Sequence, residues 1–152
     1  GDRIILARRL VLERLNDGDR ATAAKFLAVA VEAAADPAAR PQSVDRLCDA
    51  EQALAASPVP DLELRARIGD AAALVEARRR AAEADADPFH SDNSILLPAL
   101  ARVLVLGGDA KGAWALCQSR PFVWTRAAIA SAMVDALTER LRGKILLSRD
   151  DY

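Results

Sequence analysis

The residues that could carry out chemistry are few and far apart in this sequence. His90 is the only histidine, and Cys48 and Cys117 are the only cysteines. A zinc centre needs several nitrogen or sulfur ligands close together, and a Ser-His-Asp triad would have to be built around this one histidine. The polar run Ser-Asp-Asn at 91–93 follows His90 and contains the residue types that cap helices. We therefore expect no metal site and a capping role for this run, with a pH-sensitive contact by His90 as the alternative.

Other patterns typical of enzymes are missing from the sequence. It contains no GxxxxGK[ST] phosphate loop, no GxGxxG, no HExxH and no EF-hand loop. The acidic pairs Asp85/Asp87 and Asp150/Asp151 could act as acid and base, but solvated loop charge is the far more common reason for such pairs. Each cysteine lies in an apolar run without a CxxC partner, which indicates reduced core residues and a reducing cytoplasm. We expect no catalytic activity and no cofactor.

The densest basic cluster is formed by Arg78, Arg79 and Arg80. Guanidinium groups make bidentate contacts with carboxylates and phosphates, so a nucleic-acid-binding face is one interpretation. The acidic neighbours Glu76 and Glu83 favour a solvated helix face instead. Lys plus Arg is 21 and Asp plus Glu is 22, and the resulting net charge of −1 provides no general attraction for polyanions. Nucleic-acid binding by this cluster is the alternative function, and an acidic partner segment is a further interpretation of the same residues.

A second group of interest comprises Trp114, Phe122, Trp124 and Arg126. Core packing is the expected role of Trp114, because a large apolar ring is costly to leave exposed. Phe122 and Trp124 are two positions apart near the start of a predicted helix, so we expect them to face different directions. One of them, together with Arg126, is predicted to anchor a partner protein, since aromatic residues and arginine dominate interface hot spots.

The composition favours helices along most of the chain. Alanine accounts for 34 of 152 residues, and apolar residues make up 52%. Alanine has the highest helix propensity, and its small side chain lets helices approach closely. The segment 61–84 is predicted as one helix rather than two separated at Gly69-Asp70. Apolar residues at helical spacing predict seven helices, at about 2–15, 19–35, 43–56, 61–84, 94–106, 110–118 and 121–141.

The organisation of the chain is predicted from its prolines and its ends. Ser57-Pro58-Val59-Pro60 is the clearest linker and is interpreted as a hinge within a helical domain that spans 1–142. The tail 143–152 contains an apolar run that is interpreted as a short strand, a helical extension or a docking segment. The non-methionine start favours a domain excised from a longer protein. No apolar run approaches the roughly 20 residues of a spanning helix, so we expect a cytoplasmic protein.

Two heptapeptides are near-copies of one another. LARRLVL at 6–12 and LARVLVL at 100–106 differ at one position, and a Gly-Asp pair follows each, at 18–19 and 108–109. In both units a small residue lies five positions after the glycine and an apolar residue lies four positions later, namely Ala23 and Leu27 in the first unit and Ala113 and Cys117 in the second. This pattern resembles the tetratricopeptide-like superfamily of helical hairpins, in which the small residue lets the second helix lie against the first.

The resemblance covers 2–35 and 94–120 and implies an all-α fold. Antiparallel helical hairpins would stack as a short right-handed α-solenoid of about seven helices. The chain departs from the family in lacking large aromatic residues in the first helix and in placing Leu74 at the small site of a third Gly-Asp turn. By similarity, such domains bind peptides or proteins. We therefore expect a non-catalytic protein-protein interaction or scaffold module, whose partner is another protein or another domain of its own chain.

Overall fold

The computed structural model of the chain describes residues 2–35, 62–89 and 93–143. These ranges are all-helical and contain no strand, which confirms the predicted fold class for this part of the chain. The predicted helix at 43–56, the hinge at 57–60, Cys48, His90 and the tail beyond 143 lie outside the described residues. The helices within the described ranges are α1 (Asp2–Asn16), α2 (Arg20–Ala35), α3 (Leu62–Ile68), α4 (Ala71–Ala86), α5 (Asn93–Leu106), α6 (Ala110–Gln118) and α7 (Val123–Arg142).

Three turns of the same construction join these helices in pairs. Gly18, Gly69 and Gly108 have positive φ angles of 78°, 90° and 96°. In each turn the glycine N–H donates to the carbonyl three residues earlier, and the next N–H, from an aspartate, donates to the carbonyl five residues earlier. These two bonds define the Schellman ending of a helix, in which glycine is favoured because it has no Cβ to strain a left-handed backbone.

The aspartate that follows each glycine starts the next helix. Its carboxylate accepts a hydrogen bond from a backbone N–H of the first turn and so satisfies a group that the helix itself leaves unpaired. Hydrogen bonds from the capped turn are the main cause of a lowered pKa in all three aspartates. The bonds run from Thr22 to Asp19 at 3.0 Å, from Ala72 to Asp70 at 2.9 Å and from Gly112 to Asp109 at 2.9 Å.

The segment 61–84 is two helices, so the prediction of a single helix there is wrong. The Gly69-Asp70 turn ends α3 at Ile68 and starts α4 at Ala71. Ala73, which is fully buried, takes the small site that the sequence pattern assigned to Leu74. Leu74 packs instead beside Gly107, where an added Cβ would collide with the leucine side chain. The small residue of this third turn lies four positions after the glycine instead of five, which is why a fixed spacing fails to detect it.

The described core consists of two apolar clusters. The larger one is built around α5, which packs against α3, α4, α6 and α7. The smaller one joins α1 and α2 to Leu64 of α3. The large, fully buried side chains of the first cluster are Leu62, Leu97, Leu100, Val103, Leu104, Val105 and Ile129. Because α5 carries most of them, it fixes the positions of the elements at both of its ends.

Candidate partner-binding groove

Three aromatic rings form a ladder where the end of α4 meets the start of α7. The ring centroids of Phe89 and Phe122 are 5.6 Å apart in an edge-on arrangement. Those of Phe122 and Trp124 are 4.6 Å apart, with ring planes only 13° from parallel. Phe89 is 73% exposed and Trp124 is 65% exposed. We call these three residues the aromatic ladder. Such large rings on the surface form an apolar patch of the kind found at interaction sites.

The ladder exists because Phe122 lies outside the helix. Phe122 is the N-cap of α7 and has extended backbone angles, with φ −97° and ψ 133°. Because Phe122 precedes the helix, the rotation of about 100° per helical residue does not apply to it, and its ring stacks on that of Trp124. The prediction that Phe122 and Trp124 face different directions is therefore wrong, since α7 begins at Val123 and not at Pro121.

A cavity of about 320 Å³ opens beside the ladder. Its polar lining comes from Asn93, Ser94, Arg120 and Thr125. Asn93 also fixes the preceding loop, because its Nδ2 donates to the carbonyl of Asp87 at 2.9 Å. The apolar lining consists of Pro88, Phe89, Leu97, Pro121, Phe122 and Trp124. We call the ladder and this cavity together the aromatic groove.

Arg120 supports the wall of the groove. It is only 4% exposed, and its guanidinium forms an ion pair with Asp85. The Oγ of Ser119 accepts hydrogen bonds from Nε and Nη2 of Arg120, at 3.2 Å and 3.0 Å. Burial lowers the pKa of the Arg120 guanidinium. Because its charge is balanced by Asp85, this arginine joins α4 to the connection between α6 and α7 and is not an open anion site.

Arg126 holds the same connection from the other side. Its Nη1 donates to the carbonyl oxygens of Arg120 at 2.7 Å and of Pro121 at 3.4 Å. The thiol of Cys117 donates to the carbonyl of Arg126 at 3.4 Å. Cys117 is buried, as the sequence predicts. The structure thus brings the three predicted anchors, Phe122, Trp124 and Arg126, to one end of α7.

The other predicted anchors lie on α4 and are paired with carboxylates. Arg78 forms an ion pair with Asp109 at 3.0 Å, and Arg79 pairs with Glu76 and Glu83. Arg80 lies 3.5 Å from the Glu76 carboxylate. The hydrogen bonds that Arg79 donates to Glu76 are the main reason that the pKa of Arg79 is raised. These ion pairs neutralise much of the positive charge that binding to the phosphates of a nucleic acid would require.

Trp114 is 51% exposed, so the prediction that it packs in the core is wrong. Ala113, Leu116 and Cys117 occupy the buried face of α6. Trp114 follows Ala113 by one residue, which rotates it about 100° away from that face.

A second polar site was not found from the sequence and lies between α3, α5 and α7. Arg67 contacts Glu63 at 2.8 Å and Glu139 at 2.9 Å, while Arg102 contacts the same two carboxylates at 3.0 Å and 3.2 Å. We call these four residues the ion network. Arg8, which occupies the position of Arg102 in the other heptapeptide, also acts electrostatically on Glu63. The shared arginine of the two heptapeptides is the signal that could have revealed the network.

The ion network shifts the pKa values of Glu63 and Arg102 in opposite directions. Burial raises the pKa of Glu63, but Arg67 and Arg102 outweigh burial and leave that pKa below its ordinary value. Burial lowers the pKa of Arg102, and the two glutamates outweigh it, so that pKa is raised. Both carboxylates are engaged by both arginines, and the network therefore acts as a joint between helices.

Within the described ranges, no three His, Cys, Asp or Glu side chains approach closely enough to share a metal ion. None of the helices there combines the length and apolar character that crossing a bilayer requires. Comparison of the chain with protein-family models, with curated proteins and with solved structures found no match. The function is therefore inferred from the geometry of the aromatic groove.

Proposed function

We propose that this chain is a non-catalytic interaction module that binds a segment of a partner protein in its aromatic groove. The observation that carries the proposal is the aromatic ladder, whose outer rings on Phe89 and Trp124 are largely exposed beside a cavity. Rings that already contact one another are pre-organised, so little conformational entropy is lost when a partner covers them. Tryptophan in such a position is typical of binding hot spots.

The architecture proposed for this module is a tetratricopeptide-like stack of helical hairpins with a right-handed superhelix. Three turns of equal construction and the contacts of α3 with α1, α2, α4 and α5 support it. In such a stack each hairpin buries the apolar face of its neighbour, and exposed ends and grooves remain for partners.

The groove favours an extended segment with proline or aliphatic side chains. A cavity of about 320 Å³ is near the lower limit for small-molecule sites and accommodates one or two side chains. Flat rings flanked by Pro88 and Pro121 offer the kind of surface on which extended, proline-containing segments dock. Asn93 and Thr125 provide polar groups for hydrogen bonds with the backbone of such a segment.

Nucleic-acid binding through Arg78, Arg79 and Arg80 remains the alternative. The ion pairs of these arginines with acidic residues of α4 and with Asp109 argue against it, because a bound phosphate would have to displace a carboxylate. The aromatic groove requires no such displacement.

Peptide binding to the full chain tests the groove. Fluorescence anisotropy would compare labelled ten-residue peptides with either Pro-Leu-Pro or Gly-Ser-Gly at the centre. We expect the first peptide to bind more tightly. The Trp124→Ala and Phe89→Ala variants should each weaken its binding by about tenfold or more, the usual effect of losing a hot-spot ring.

Trp114→Ala is the matched control, because it removes the other tryptophan, which is also half-exposed. Its affinity for the Pro-Leu-Pro peptide should equal that of the wild type. Equal affinity for both peptides, or an equal loss in the Trp114 and Trp124 variants, would contradict the proposed groove.

A further inference from the structure

The last described helix carries a second apolar face that points away from the core. Ile129, Met133 and Ala136 form the buried side of α7. The other face exposes 68% of Val123, 60% of Val134 and 89% of Leu141. The full set, which we call the α7 stripe, is Val123, Ala127, Ala130, Val134, Leu137 and Leu141, and Ala130 among them is partly buried against the core.

The spacing within the α7 stripe is that of a coiled-coil seam. Successive members are separated by four, three, four, three and four residues. This alternation keeps apolar side chains on one line of a helix, where they pack against a second helix lying alongside. Over the 20 residues of α7 the seam is about 30 Å long. A single helix rarely maintains such a pattern unless another helix covers it.

The arrangement of the other helices indicates the same kind of occupant. In each of the three helix pairs joined by a Gly-Asp turn, the first helix packs against the second. α7 also ends at a left-handed glycine, Gly143, with φ 65°. Within the described part of the chain, no second helix packs against the exposed face of α7.

One flank of the α7 stripe is basic. Arg126 and Arg140 lie one residue before Ala127 and Leu141, on the same side of the seam. Nη1 of Arg126 is held by the carbonyl of Arg120 at 2.7 Å, and Nη1 of Arg140 by that of Val105 at 3.1 Å. Neither arginine forms an ion pair with a carboxylate in the described ranges. The opposite flank carries no charge and consists of Trp124, Ser131 and Thr138.

We infer that the α7 stripe binds an amphipathic helix of a partner protein that has a matching four-three apolar seam flanked by Glu or Asp. Flanking charges select the partner of a coiled-coil seam, and only carboxylates complement Arg126 and Arg140. A second copy of this chain fits poorly. Antiparallel pairing of two α7 helices would place Arg126 opposite Arg140, and parallel pairing would place Arg126 opposite the uncharged Ser131. The inference rests on the proposed function, and the α7 stripe borders the aromatic groove at Trp124.

Two synthetic helices test the charge and the seam separately. Both are labelled 21-residue peptides with Leu at every seam position, and they differ only in having Glu or Lys on both flanks. In fluorescence anisotropy with the full chain, we expect the Glu peptide to bind at least tenfold more tightly than the Lys peptide. The Arg126→Glu/Arg140→Glu variant should reverse this preference.

The seam is tested by Val134→Asn/Leu141→Asn, which alters exposed side chains and should leave the circular dichroism spectrum unchanged. This variant should bind the Glu peptide at least tenfold more weakly. Val75→Asn is the matched control, because Val75 is 64% exposed on α4, a different helix. It should bind the Glu peptide as tightly as the wild type. If Val134→Asn/Leu141→Asn has no effect, the inference is overturned.

Other occupants give distinct results. A wild-type dimer in analytical ultracentrifugation that Val134→Asn/Leu141→Asn converts to monomer would identify a second copy as the occupant. Binding of the Glu peptide only after Ile145→Asn/Leu146→Asn/Leu147→Asn would identify the chain's own tail. Either result overturns the inference. Loss of Pro-Leu-Pro binding in Phe89→Ala, whose side chain lies outside α7, with normal Glu-peptide binding shows that the groove and the stripe act separately, so failure of one leaves the other standing.

Discussion

At the scale of single residues, the ion network of Glu63, Arg67, Arg102 and Glu139 is the most demanding feature of the molecule. Each carboxylate is shared between two arginines that come from different helices. Removing one member of a buried pair leaves its partners without compensation, which costs more than the pair itself contributes. The network therefore makes the position of α3 against α5 and α7 sensitive to one protonation event.

Acid should weaken the fold through Glu63. Its pKa lies below the ordinary value of 4.5 in the folded chain, so the unfolded chain binds this proton more readily. The resulting stabilisation is fully present above about pH 4.5 and is lost as the pH falls through the folded pKa. Glu63→Gln should lower the free energy of unfolding by about 2 kcal/mol at pH 7, less than for a fully buried pair, because Glu63 is partly exposed.

Urea unfolding at pH 7 and at pH 3 measures this effect. The difference between the wild type and Glu63→Gln should shrink at pH 3, because Glu63 of the unfolded wild-type chain takes up a proton below its ordinary pKa of 4.5. Glu83→Gln, at an exposed ion pair on α4, should stay within about 0.5 kcal/mol of the wild type at pH 7. If the difference in the free energy of unfolding between the wild type and Glu63→Gln is the same at pH 7 and pH 3, the charge of Glu63 does not stabilise the fold through the ion network.

At the scale of elements, turn chemistry explains what could be predicted from the sequence. The turns at Gly18 and Gly108 follow from a glycine and a capping aspartate after an apolar helix. The Gly69-Asp70 pair is also present, but its small residue, Ala73, lies four positions after the glycine instead of five. The spacing seen in the other two units therefore does not identify this turn. The groove is only partly visible in the sequence. Phe122 and Trp124 are candidates from their types, whereas Phe89 and Leu97 join them through contacts between distant segments that no local pattern contains.

The cost of replacing a turn glycine should come from the backbone alone. A Cβ added at Gly108 would meet nothing within 4 Å, but its φ of 96° is unfavourable for any residue with a side chain. Gly108→Ala should therefore lower the free energy of unfolding by about 1 to 2 kcal/mol. Gly108→Asn should cost less, since asparagine tolerates left-handed backbone better. Thermal or urea unfolding compares the stabilities of the two variants. If Gly108→Ala is as stable as the wild type, the turn changes its backbone conformation to avoid the strain, and the prediction is wrong.

At the scale of the whole molecule, the two apolar clusters divide the described core unequally. α1 and α2 share a small cluster with α3 alone, through Leu64. α5 is surrounded by four helices and contains most of the large side chains that water does not reach. Regions with few buried apolar contacts open at lower free energy than the rest of a domain. The α1–α2 pair is thus the part of the described chain most able to open by itself.

Hydrogen exchange should detect this opening. Amides of α1 and α2 are expected to exchange through a local opening, whereas those of α5 exchange only with global unfolding. Leu64→Ala removes the buried side chain that α3 contributes to the smaller cluster, and it should lower the opening free energy of α1 and α2 by about 2 to 3 kcal/mol. The α5 amides should change less. Leu97→Ala, within the large cluster, should instead weaken protection in α5 itself. If α1, α2 and α5 share one opening free energy and respond equally to both substitutions, the described helices unfold as a single unit and Leu64 is an ordinary core residue.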